Sequence, residues 1–126
     1  MAVRVLVIDD TDHVRTMLAD MLTLDGFDVI GQARDAASAV EVALATQPDI
    51  AIMDLRLPGT DGIEATRRLR EACPGTSVIL YTAYLTDEIR AAAAEAGAAH
   101  CLGKSDGLIE LERELSRLTL HLMRES

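Results

Sequence analysis

The sequence predicts one α/β domain, a doubly wound parallel sheet of five strands with helices on both faces. Three observations carry that prediction. Short Val- and Ile-rich runs recur along the chain and are too continuous for half-buried strands. Each run is followed by a segment with apolar residues at helical spacing, and strict strand–helix alternation implies parallel pairing. The 126 residues suit a single domain over 1–126, given about 150 residues per domain.

The first strand is Val3 to Ile8, stopped by Asp9-Asp10. Val14, Met17, Leu18, Met21 and Leu22 then mark the apolar stripe of a helix that Gly26 ends. Phe27 to Gly31 is the second strand. Asp35 caps a helix carrying Val40 and Leu44, which stops before Pro48. Ile50 to Met53 is the third strand and Asp54 follows it. Pro58-Gly59-Thr60-Asp61-Gly62 reads as a loop, and Ile63 to Glu71 as a helix. Val78 to Tyr81 is the fourth strand, ending at Thr82. Thr86 or Asp87 starts an Ala-rich helix that runs to Gly97. His100 to Leu102 is a short fifth strand with Lys104 after it, and the last helix runs from Gly107 to Met123.

Composition narrows the function. Twelve Lys and Arg stand against 21 Asp and Glu, a net charge of −9, which disfavours nucleic acid and anionic membrane surfaces as partners. Phe27, Tyr81 and Tyr84 are the three aromatics, too few for a base-stacking platform. Cys73 and Cys101 suit neither a disulfide framework nor a zinc site and read as two thiols in a reducing cytoplasm. No apolar run reaches the roughly 18–20 residues of a membrane span, and no signal peptide is read.

In a parallel sheet, ligands bind beyond the carboxyl ends of the strands. The residues there are Asp9 and Asp10, Asp54, Thr82 and Lys104. Taken singly, Asp54 reads as a turn former, Thr82 as a strand residue and Lys104 as a surface charge. Their coincidence at one sheet end carries more. Three clustered carboxylates repel one another unless a cation joins them. An oxygen-only donor set selects a hard divalent ion, and Mg²⁺ leaves room for water and a phosphoryl oxygen. A carboxylate there can attack phosphorus and become an acyl phosphate. The ammonium and the hydroxyl remain to receive the other phosphoryl oxygens.

With those residues in view, the chain resembles the receiver domain of bacterial two-component response regulators over essentially its whole length. The resemblance is carried by VLVIDD at 5–10, IAIMDLRLPGTDGIE at 50–64, ILYTAY at 79–84 and CLGK at 101–104. It implies a flavodoxin-like sheet in the order 2-1-3-4-5. It implies Asp54 as phosphoacceptor, with Thr82 as switch hydroxyl and Lys104 as phosphate-pairing lysine. Asp9, Asp10, Asp54 and the backbone carbonyl of Arg56 would hold Mg²⁺, with Asp10 a direct ligand. The implied donor is a phosphohistidine on a sensor kinase or phosphotransfer protein. The implied role is a cytoplasmic regulatory switch, not an enzyme acting on other substrates: it catalyses its own phosphoryl transfer and slow dephosphorylation. A weak phosphorylation-dependent homodimer is expected, through the face of the fourth and last helices or by pairing the first and last.

Three features set the chain apart from the family's usual pattern. Cys101 stands where an aromatic is usual, Ser105 where Pro often follows the lysine, and Arg56 and Tyr84 fill the variable positions two residues beyond acceptor and switch threonine. Those two positions are associated with phosphoryl lifetime, and this pair predicts a long-lived phosphoryl group. With no Pro, the Lys104–Ser105 peptide is expected trans. Cys101 is too small for the family's aromatic swing, so Tyr84 is expected either to change exposure between states, with the loop from Thr82 to Thr86 carrying the output, or merely to shield the phosphoryl group, while Cys101 stays in place. In the last helix Leu108, Leu111, Leu115, Leu118 and Leu122 form the seam facing the sheet; Ile109, Leu120 and Met123 lie off it.

Two rival readings exist. Asp10-Thr11-Asp12-His13-Val14 fits the D-x-D-x-V pattern of haloacid-dehalogenase-type phosphatases, with Asp10 as nucleophile and Asp12 as general acid. The chain is short for that fold, and the pattern leaves the placement of Asp54 unexplained. The other rival is a binding module that keeps the fold but takes no phosphate.

Overall fold

The computed structural model of the chain describes residues 2–125. Its elements follow the predicted alternation. β1 (Arg4–Ile8), β2 (Asp28–Ala33), β3 (Ile50–Met53), β6 (Ser77–Thr82) and β7 (His100–Gly103) form one parallel sheet in the order β2-β1-β3-β6-β7. Counted as five strands this is the expected 2-1-3-4-5 order. Five helices connect and close it: α1 (Asp12–Leu24), α2 (Ala36–Thr46), α3 (Gly62–Ala72), α4 (Asp87–Ala96) and α5 (Leu108–Glu125).

Alternation along the strands divides the core into two. Val5, Val7, Ile50, Ile52, Ile79 and Tyr81 point to one face and meet Leu18 and Leu22 of α1 with Leu111 and Leu115 of α5. Leu6, Ile8, Ala51, Met53, Val78 and Leu80 point to the other, under Ala39 and Ala43 of α2, Ala65 and Leu69 of α3 and Ala93 of α4. Both faces being covered is why the strands read as unbroken apolar runs. In α5, Leu111 and Leu115 are fully buried while Ile109, Leu120 and Met123 are exposed, as the seam predicts.

The helix starts have visible causes. Asp35, Asp61 and Thr86 each accept, through the side chain, the N–H three residues on, from Ser38, Glu64 and Ile89. Gly97 ends α4 at φ +101°, a conformation that favours glycine.

The structure corrects four details. The second strand is Asp28–Ala33, not Phe27 to Gly31: it runs on past Gly31 beside Val7 and Ile8. Met17 and Leu44 are about half exposed; the small Ala39 and Ala43 pack α2 against the sheet instead. The predicted loop at 58–62 contains the second strand of a two-residue antiparallel ladder, β4 (Arg56–Leu57) with β5 (Thr60–Asp61), turned at Gly59 with φ +75°. A short 3₁₀ turn, Lys104–Asp106, precedes α5. Among the described residues no peptide bond is cis, so Lys104–Ser105 is trans as expected.

Candidate functional site

The sheet brings the predicted residues together at its carboxyl edge. Asp9 and Asp10 leave β1, Asp54 leaves the adjacent β3, Thr82 ends β6 and Lys104 follows β7. Backbone bonds fix the first two positions. Asp9 N–H donates to Ala33 O of β2 at 3.0 Å, and Asp54 N–H donates to Ile8 O of β1 at 3.0 Å. The added residues of β2 therefore hold Asp9 in register.

One carboxylate oxygen from each of Asp9, Asp10 and Asp54 lies within 4.8 Å of the others. The three differ in burial: Asp9 is buried, Asp54 half-buried and Asp10 exposed. Asp9 uses Oδ1 to accept Thr11 N–H at 2.9 Å, and Lys104 Nζ lies 3.3 Å from Asp9 Oδ2 and 3.6 Å from Asp54 Oδ2. The ammonium thus spans the two inner carboxylates, with the Tyr81 ring centroid 5.8 Å from Nζ. Burial pushes the Asp54 carboxyl above its ordinary value; Lys104 pulls it back, the Asp9 charge pushes it up again, and the Leu55 and Arg56 N–H groups lower it. Burial wins, so the site holds a carboxylate whose charge is under-compensated by the protein alone.

Thr82 is fully buried. Its Oγ1 accepts the N–H of Tyr84 at 3.1 Å, so the hydroxyl proton remains for another acceptor. Tyr84 is 52% exposed, and the Arg56 guanidinium carbon lies 3.8 Å from its ring centroid. Cys101 is buried on β7, in the core cluster under α4, and its carbonyl accepts Arg90 Nη1–H at 3.1 Å. Burial raises its thiol pKa, with Arg90 opposing, so the thiol stays neutral and outside the acidic site.

Two supporting residues escaped the sequence reading. Arg15 donates to the Asp9 carbonyl at 2.7 Å while pairing with Asp12 at 2.6 Å, which braces the loop between β1 and α1. Its i,i+3 spacing from Asp12 was the available signal. That pair also weakens the phosphatase reading. Arg15 draws the exposed Asp12 carboxyl below its ordinary value, whereas a general acid needs it raised. The second is Gly62, where a Cβ would meet the backbone of Asp54 and Leu55; the Asp-Gly pair after the turn was its signal.

Comparison with known proteins agrees with this geometry. The family model described as "Response regulator receiver domain" matches residues 5–116. The chain is similar to the response regulator GacA of Pseudomonas viridiflava, 39% identical over 110 residues that cover 86% of this chain and 51% of that protein. It thus spans about half the length of the curated relatives it matches. Among solved structures, a LuxR-family two-component response regulator from Aurantimonas sp. SI85-9A1 superposes with a TM-score of 0.89 at 32% identity, covering 94% of this chain and 85% of that one. The signal receiver domain of the putative response regulator NarL from Mycobacterium tuberculosis gives 0.84 at 33% identity, covering 94% and 97%.

Proposed function

Since the chain belongs to the response regulator receiver domain family, we propose that Asp54 is its phosphoacceptor and that the chain is a cytoplasmic switch charged by a sensor kinase or phosphotransfer protein. The observation that supports this most is the placement of Lys104. Its ammonium lies between Asp9 and Asp54, at the point where a group joined to Asp54 would bring negative oxygens.

The donor set suits Mg²⁺. Three carboxylates offer oxygens within 4.8 Å, no nitrogen or sulfur ligand is among them, and burial leaves Asp54 in want of positive charge. Asp9, Asp10, Asp54 and the Arg56 carbonyl are the residues we assign to it. When bound, the ion supplies Lewis-acid stabilisation of phosphoryl oxygens. Asp54 attacks the phosphorus of a phosphohistidine, the P–N bond breaks, and the histidine leaves with its electron pair and takes up a proton. Lys104 pairs with one phosphoryl oxygen and the Thr82 hydroxyl donates to another. We assign Arg56 and Tyr84 to the control of phosphoryl lifetime.

The net charge of −9 argues against nucleic acid as a partner of this chain. The exposed Ile109, Leu120 and Met123 of α5 are where a weak phosphorylation-dependent homodimer would pair. Among the described residues no helix is long and apolar enough to cross a membrane.

The test is incubation with acetyl phosphate and Mg²⁺, read by intact mass. One phosphoryl group should add to the wild-type chain and none to Asp54→Asn. Full labelling of Asp54→Asn would refute the assignment.

A further inference from the structure

We propose that Tyr81 is a positioning residue for Lys104: its ring keeps the ammonium over the acidic site, in place for a phosphoryl oxygen, whichever ion the carboxylates hold. The inference rests on the reading of Asp54 as acceptor.

Lys104 is the only lysine in the sequence. Lysine is a compact charge on a flexible stem and, unlike arginine, brings no rigid fork of its own. The backbone guides it little, because it stands between Gly103 and Ser105 at the start of a short 3₁₀ turn, with its side chain 25% exposed. Its neighbours are therefore what aim it. The Asp9 and Asp54 carboxylates lie 3.3 and 3.6 Å from Nζ, and the Tyr81 ring centroid lies 5.8 Å away, within cation–π reach.

The two kinds of neighbour differ in constancy. Asp9 and Asp54 are also the residues assigned to Mg²⁺, so their hold on the ammonium slackens once they share an ion. The ring has no such second use. Tyr81 is buried, packs in the core cluster that holds Leu111 and Leu115 of α5, and pairs with Leu102 in the β6–β7 ladder. Burial raises its phenol above the ordinary value, with the Lys104 charge opposing and the Asp106 charge adding to it, so the ring stays neutral. Without it the stem would be ordered only as the phosphoryl group arrived, and that ordering weakens binding. Successive residues of β6 point to opposite faces of the sheet. One strand end thus supplies the Thr82 hydroxyl and, through Tyr81, the aim of the ammonium.

The experiment compares the whole chain as wild type, as Tyr81→Phe, and with pentafluorophenylalanine at position 81, whose ring keeps the shape of phenylalanine but repels a cation at its face. Beryllofluoride is titrated as the phosphoryl mimic in saturating Mg²⁺, and the backbone amides of Asp54 and Leu55 report its binding. Tyr81→Phe should half-saturate within about twofold of wild type, and the fluorinated chain should need about three- to tenfold more mimic. In wild type, lysine-selective ¹³C labelling isolates the Lys104 ε-methylene, whose cross-relaxation with the Tyr81 ring protons should be present before and after saturation. Equal half-saturation of Tyr81→Phe and the fluorinated chain would overturn the inference and leave the acceptor reading intact, as would loss of the cross-relaxation in the saturated state. No amide shift at Asp54 of wild type under saturating mimic would overturn both.

Discussion

Gly62 lies against the backbone of Asp54 so closely that a Cβ there would collide with the Asp54 carbonyl oxygen. The same atom would meet Leu55 Cα at 2.8 Å, and the Gly62 N–H donates to Leu55 O at 2.6 Å. The start of α3 is thereby clamped to the residue after β3. The obstructing atoms are backbone, so they cannot rotate away. Gly62→Ala should destabilise the fold by about 1–3 kcal/mol and slow phosphoryl uptake by displacing Asp54. Urea denaturation and acetyl phosphate labelling measure the two effects. Unchanged stability would mean that the loop yields without strain.

Stability should depend on pH through Asp54. Burial raises its folded pKa above the ordinary 3.8, so the folded chain holds this proton more tightly than the unfolded one. Its contribution to stability is complete below pH 3.8 and is lost as pH rises through the folded value. Asp54→Asn should therefore be more stable than wild type at pH 7 without Mg²⁺, and the advantage should shrink as pH falls toward 3.8. Denaturation curves of both proteins across that range would show it. A constant difference at every pH would contradict the cause given.

Mg²⁺ should stabilise the chain through the same carboxylates. Binding to the folded state alone adds about 2.7 kcal/mol when the ion is at roughly 100 times its Kd. Denaturation in Mg²⁺ and in EDTA should differ by that order for wild type and by little for Asp10→Asn. Equal gains in both proteins would remove Asp10 from the ligand set.

Phosphoryl loss is expected to be slow: Arg56 and Tyr84, two residues beyond Asp54 and Thr82, stack on one another, where they would hinder the approach of water to a phosphoryl group on Asp54. Arg56→Ala/Tyr84→Ala should lose the phosphoryl group several-fold faster than wild type, followed by intact mass after removal of the donor. Unchanged decay would separate this pair from phosphoryl lifetime.

What the sequence disclosed follows from burial. β1, β3 and β6 are covered on both faces, so their apolar runs and their Asp and Thr stops were plain to read. The strand-end rule places Asp9, Asp10, Asp54, Thr82 and Lys104 together from the sequence alone. β2 was harder: it is an edge strand with exposed Gln32, so its last residues lack an apolar signature. Met17 and Leu44 are apolar yet about half exposed, while alanines make the close helix–sheet contacts of α2. The Arg56–Tyr84 stack joins two loops 28 residues apart in sequence, and no local pattern announces such a contact. The Gly62 contact is a matter of backbone approach: the Asp61-Gly62 pair after the turn is its signal in the sequence, and the assembled fold shows which atoms require it.

The central claim, that Asp54 receives the phosphoryl group, is tested most directly by locating the modified residue. An acyl phosphate on aspartate is reduced by borohydride to homoserine, which leaves a permanent mark. After acetyl phosphate and Mg²⁺ treatment, reduction and proteolysis, peptide sequencing by mass spectrometry should find homoserine at position 54, with Asp9, Asp10 and Asp12 unmodified. Homoserine at Asp10 in its place, or at none of these positions in a chain that had taken up label, would contradict the account.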